Sequence, residues 1–172
     1  LFAACDNGVD LAPASIPNVV DTFTVGSLTG SPVSLPSAFS VADGNVVRTD
    51  VSSAFDFAYD VDATGRHVFL TLEVMRLSDT EGSGPGLQYT NKTFEQLSTA
   101  PSNGWITNDT IVVDSGTVLL LRSRIICGGL GVPLYGKLEI LYVDTVADTL
   151  SLRVVANQNC AYRDLDLGIP KD

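Results

Sequence analysis

Phe55-Asp-Phe-Ala-Tyr-Asp-Val-Asp62 places Phe55, Phe57, Tyr59 and Val61 on one side of an extended chain, and Asp56, Ala58, Asp60 and Asp62 on the other. A period of two marks a strand half-buried in a sheet, because successive side chains point to opposite faces. The aromatics are expected inward and the carboxylates in water. Ala63-Thr64-Gly65 supplies a turn, and the next run alternates again: Val68, Leu70, Leu72 and Val74 stand opposite His67, Phe69, Thr71 and Glu73. Both faces of this second run are largely apolar, which predicts a strand interior to its sheet.

The same punctuation extends in both directions. Toward the N-terminus, Asp43-Gly44 between two β-prone runs predicts a hairpin, and Val19 to Val25 and Pro32 to Leu35 are short strand candidates. Toward the C-terminus, residues 78–90 read as a long Gly-rich loop and Lys92 to Ser98 as one or two helical turns. Thr110 to Val113 and Val118 to Ile126 read as strands. Leu134, Leu138, Ile140 and Tyr142 line one face of a further strand, interrupted by Gly136. Leu150, Leu152, Val154 and Ala156 line the last, after a turn over Asp144 to Asp148. Roughly eight to ten short strands with almost no helix spell an all-β fold, an antiparallel β-sandwich or partly open barrel. Residues 19–172 form the single domain in this reading. Residues 1–18 form an extended tether in which Pro13 and Pro17 resist helix.

Composition narrows the function classes. A chain of 172 residues suits one domain. With 45% apolar and 17% charged residues it is neither disordered nor a charged helical rod. Ten Lys and Arg against twenty Asp and Glu leave a net charge of −10, which repels phosphate backbones and argues against nucleic acid as a partner. No apolar run reaches the length of a bilayer span.

Chemistry is thinly supplied. His67 is the sole histidine, and no Gly-x-Ser-x-Gly elbow accompanies the many serines. Asp56, Asp60 and Asp62 read as a solvated acidic strip. Asp60-Val-Asp62-Ala-Thr64-Gly65 partly matches a calcium loop, but the third acidic position and the terminal Glu are missing. Asp60 and Asp62 are therefore the calcium candidates, and no catalytic residue or cofactor is expected. Gly128-Gly-Leu-Gly131 lacks the lysine and helix of a phosphate cradle and reads as a bend. Asn91-Lys-Thr93 and Asn108-Asp-Thr110 match the N-glycosylation pattern. Leu119-Leu-Leu121 followed by Arg122-Ser-Arg124 gives a strand with no dry and wet face, either doubly buried or covered by a partner.

Cys127 and Cys160 each follow a strand-like run, where two strand ends can lie side by side. A disulfide there would close a loop of about thirty residues, worth roughly 3–4 kcal/mol in the chain-entropy account. It would also imply an oxidising compartment, and pairing the two thiols would leave too few His and Cys ligands for zinc. The competing reading is two unrelated buried thiols. Cys5 is left over.

Leu1-Phe2-Ala3-Ala4-Cys5-Asp6 resembles the lipobox of bacterial lipoproteins, although Phe2 stands where an aliphatic residue is usual and processing would remove Leu1 to Ala4. The resemblance implies acylation at Cys5, or an uncleaved signal acting as anchor, with residues 6–18 as the tether. Across most of its length the chain resembles small bacterial extracytoplasmic β-sandwich lipoproteins. The likeness rests on Ala-Ala-Cys5 and on the pattern from Tyr135-Gly-Lys-Leu-Glu to Asn159-Cys160-Ala-Tyr162-Arg. In outline it is similar to the membrane-extrinsic accessory subunits of bacterial photosynthetic reaction centre–antenna complexes. That likeness implies a non-catalytic subunit on the periplasmic side, docked on an integral membrane protein complex. Docking would use the extended tails and the loop 84–105, with Tyr89, Phe94 and Trp105 as anchors. The alternative is a ligand-binding lipoprotein that captures a small molecule, sugar or peptide in a pocket around Trp105 and Tyr89. A carboxylate-based hydrolase comes third.

Overall fold

The computed structural model describes residues 12–77, 84–127 and 129–171. Ten strands occur among them: β1 (Asp21–Gly26), β2 (Ala38–Ser40), β3 (Asn45–Val47), β4 (Phe57–Val61), β5 (His67–Thr71), β6 (Gly86–Tyr89), β7 (Ile111–Val112), β8 (Val118–Cys127), β9 (Val132–Asp144) and β10 (Thr149–Asn157). They form two antiparallel five-stranded sheets, ordered β1-β10-β9-β8-β6 and β3-β2-β4-β5-β7, stacked as a sandwich and not closed into a barrel. The predicted hairpin is present as β2–β3, with Gly44 at a φ of 58° in its turn. β5 lies between β4 and β7, interior as expected.

The core follows from the alternation. Leu119 and Leu121, Leu138 and Ile140, and Leu150, Leu152 and Val154 face inward from the long sheet. They meet Phe39, Phe57, Tyr59, Phe69 and Ile111 from the short one. Phe23, Phe39, Phe57, Phe69 and Tyr59 touch in sequence, with ring centroids 5.1 to 6.3 Å apart. Gly136 interrupts the apolar row of β9 for a steric reason: a Cβ there would lie 2.6 Å from the Val155 carbonyl oxygen of β10.

Several expectations are corrected. The strict alternation begins at Phe57, not Phe55. Phe55 turns to the outer side of the short sheet and packs with Ala38, Ala58 and Leu72. Asp56 is not solvated but wholly buried, because its carboxylate accepts the Val41 amide at 2.8 Å where the β2–β4 ladder stops. β5 ends at Thr71, and residues 72–76 turn, with Arg76 at a φ of 58°. Pro32 to Leu35 form a turn closed by the Leu35 amide on the Pro32 carbonyl, 2.9 Å. Within the expected loop 78–90, Gly86 to Tyr89 make a strand, and residues 78–83 lie outside the described residues. Lys92 to Ser98 contain a single 3-10 turn, Phe94–Gln96, in place of helical turns.

Candidate functional site

Three asparagines organise the end of the long sheet at which β8 and β10 finish. Asn159 Oδ1 accepts the amides of Ser15 and Ile16 at 2.9 and 3.0 Å, and its Nδ2 donates to the Ile16 carbonyl at 2.8 Å. Asn157 Oδ1 holds the Asn159 amide at 2.9 Å while its Nδ2 reaches the Asp164 carbonyl at 2.8 Å. Asn18, buried, donates from Nδ2 to the carbonyls of Asp164 and Asp166, each at 3.0 Å. A carboxamide carries both donors and an acceptor, so it can satisfy irregular backbone that no ladder reaches. The tail is further fixed by the Ala14 amide on the Tyr162 hydroxyl and by an antiparallel bridge, Asn18 to Gly168. Both tails are thus bonded to each other. Sequence reading missed these asparagines; the one available signal was Asn157-Gln-Asn159 directly after a strand.

The Cys127–Cys160 disulfide closes this end, with Cα atoms 5.8 Å apart. It joins the last residue of β8 to the residue after Asn159, so the seat of the tail and the β8–β9 turn form one covalent unit. Two apolar features flank it. The laced tails expose Ile16 (43%), Val19 (55%), Val20 (41%), Leu167 (64%) and Ile169 (50%). The Asn18–Gly168 register sets Val19 across from Leu167. The β8–β9 turn, where the Leu130 and Gly131 amides return to the Cys127 carbonyl, exposes Ile125, Ile126 and Leu130.

The anchors expected on loop 84–105 have other work. Phe94 is buried, its ring beneath the Arg153 guanidinium (4.3 Å) and beside the Lys137 ammonium (4.9 Å). It therefore offers no exposed anchor. Trp105 is half-buried against Tyr135 and under Arg122, joining Leu97, Ala100, Leu120 and Leu165 in a patch that covers the outer face of the long sheet. The covering of the Leu119–Leu121 strand therefore comes from this chain's own segments. Of the three, Tyr89 is exposed, and its hydroxyl donates to the Val112 carbonyl at 2.9 Å.

Cavities of about 420 and 240 Å³ flank the 3-10 turn, the first beside Tyr89, Lys92 and Glu139, the second between Val20, Phe94, Lys137, Arg153 and Leu167. In the smaller one Lys137 donates to the Leu97 carbonyl at 2.7 Å, and burial pulls its pKa down. Arg153 is paired with Glu95 at 2.6 Å and with Glu139. The cavity's charges already answer one another.

The remaining titratable groups are tied into the fold. Burial raises the Asp56 carboxyl against the opposing pull of the Arg124 and Val41 amides and the Arg124 guanidinium. This pair ties the short sheet to β8. His67 sits buried with Nδ1 2.7 Å from the Tyr59 hydroxyl, which burial drives upward in pKa. Asp60 accepts the Thr29 amide and hydroxyl. Asp62 accepts from Thr64 and Arg66, and these bonds, Thr64's hydroxyl foremost, hold it well below the usual carboxylate range. The two calcium candidates thus serve separate turns, and no group of three metal-ligating side chains occurs among the described residues. Cys5 lies outside those residues.

No protein-family model, curated protein or solved structure matches this chain.

Proposed function

We propose that this chain is a non-catalytic accessory subunit, attached through its N-terminal segment to the periplasmic side of a bacterial membrane, that docks on and braces an integral membrane protein complex. The strip Ile16, Val19, Val20, Leu167 and Ile169 carries the reading. Aliphatic side chains gathered on one edge and left wet are the mark of a contact surface, since covering them releases water at about 25 cal/mol per Å². The strip lies where the tether reaches the domain, which suits a partner held in the same membrane. The disulfide suits an oxidising compartment. Docking in this reading runs through the laced tails and not through Phe94 or Trp105.

Gentle solubilisation of native membranes followed by native electrophoresis tests it. The chain should migrate with a larger complex, and Val19→Asp with Leu167→Asp should release it while leaving the melting temperature nearly unchanged. A wild-type chain that migrates alone defeats the proposal.

A further inference from the structure

The tether and the β8–β9 turn meet at one end of the sandwich for a covalent reason. Asn159 holds Ser15 and Ile16, and its neighbour Cys160 is bonded to Cys127. The turn presents Ile125 at 54%, Ile126 at 40% and Leu130 at 44% exposure. Ile125 and Ile126 are consecutive yet both exposed, because the β8–β9 register slips on either side of Ile125 and the hairpin runs on past the sandwich. Cys5 precedes Ala12 by seven residues, a span of at most about 25 Å even when fully extended. An anchor at Cys5 therefore keeps this end, and not the opposite one, close to the bilayer.

We infer that the tip Ile125, Ile126 and Leu130 rests on the lipid surface, and so sets the orientation of the domain on its membrane. The occupant is the headgroup–acyl boundary of the bilayer, which accepts a few aliphatic side chains without any demand on charge. Residues 125–131 carry no charged side chain, so the contact is apolar. The inference rests on the reading that the N-terminal segment is the anchor, and it names what the anchored end touches.

Its test imposes the attachment chemically. Cys5 is the one cysteine outside the disulfide, so the full chain can be coupled through it to phosphatidylcholine vesicles carrying a maleimide lipid. Amide hydrogen exchange is then compared with the uncoupled chain. The expected result is several-fold slower exchange across residues 124–132, with residues 144–149 at the opposite end unchanged. Ile125→Ser with Leu130→Ser should remove the slowing. Unchanged exchange at 124–132, or equal slowing at both ends, overturns the inference. Because the attachment is supplied in the experiment, finding Cys5 unmodified in native protein by mass spectrometry counts against the natural anchor alone, and a chain that fails to join a complex counts against the docking role alone.

Discussion

The two ends of the long sheet are built on opposite plans. At one, the β8–β9 turn is bonded through Cys127–Cys160 to the segment that seats both tails, so four stretches of chain are fixed together. At the other, the β9–β10 turn over Asp144 to Asp148 is held by hydrogen bonds. Asp144 accepts the Val146 and Ala147 amides, each at 2.9 Å, and the Asp148 carbonyl takes the Ser27 amide at 3.0 Å. Val146 at that tip is 94% exposed, and Tyr142 (60%) and Leu141 (44%) are exposed on the strand leading into it, but no disulfide or tail gathers them. An exposed aliphatic residue carries little meaning alone. It gains meaning when covalent and hydrogen-bonded scaffolding gathers several at one place and joins them to a tether.

The largest test of this contrast removes the covalent link. Cys127→Ser with Cys160→Ser opens a loop of sequence separation 33 and should cost about 3–4 kcal/mol in urea unfolding. Amide exchange should quicken at residues 12–18 and 157–168 but not at 144–149. Next, Asn159→Ala strips the tail of three bonds and should cost about 1–3 kcal/mol. Limited proteolysis should then cut within residues 12–17 before any other described segment.

A smaller effect separates the ends by pH. The amides of Ala147 and Val146 hold the Asp144 carboxyl below the ordinary aspartate value. A carboxyl whose folded pKa is lowered contributes stability that is present above the unfolded value and lost as pH falls through the folded one. NMR titration should show the Val146 and Ala147 amide shifts moving with a midpoint below that of an ordinary aspartate, while the amides of Ser15 and Ile16, held by a carboxamide, stay still. The smallest effect is expected for Val146→Ser, within about 0.5 kcal/mol in either direction, with vesicle-coupled exchange at 124–132 unaltered.

Much of the architecture could be read from periodicity. The rows Leu150-x-Leu152-x-Val154 and Leu138-x-Ile140 point inward as written, and Asp43-Gly44 makes its hairpin, but Tyr142, expected in the same row, is 60% exposed because the β9–β10 register shifts between Ser151 and Leu152. The disulfide pairing was legible because each cysteine closes or closely follows a strand: Cys127 ends β8, and Cys160 comes three residues after β10. Phe55 and Asp56 were misread because alternation does not say where a strand begins. Once the ladder stops at Phe57, the two preceding side chains change faces, and a carboxylate ends up inside. β6 was hidden because Gly86-Leu-Gln-Tyr89 has little pattern of its own and owes its pairing to β8. The tail-seating asparagines had almost no local signal, since their partners lie up to 148 residues away. Aromatic size does not foretell exposure: of the three expected anchors, Phe94 and Trp105 cover a sheet of their own molecule, and Tyr89 is exposed.

β1 pairs with β10 along its whole length, from Asp21 opposite Val154 to Gly26 opposite Thr149. β1 therefore waits for β10, and the long sheet cannot be completed until residue 157 is free of the ribosome. Pairings this distant in sequence form slowly.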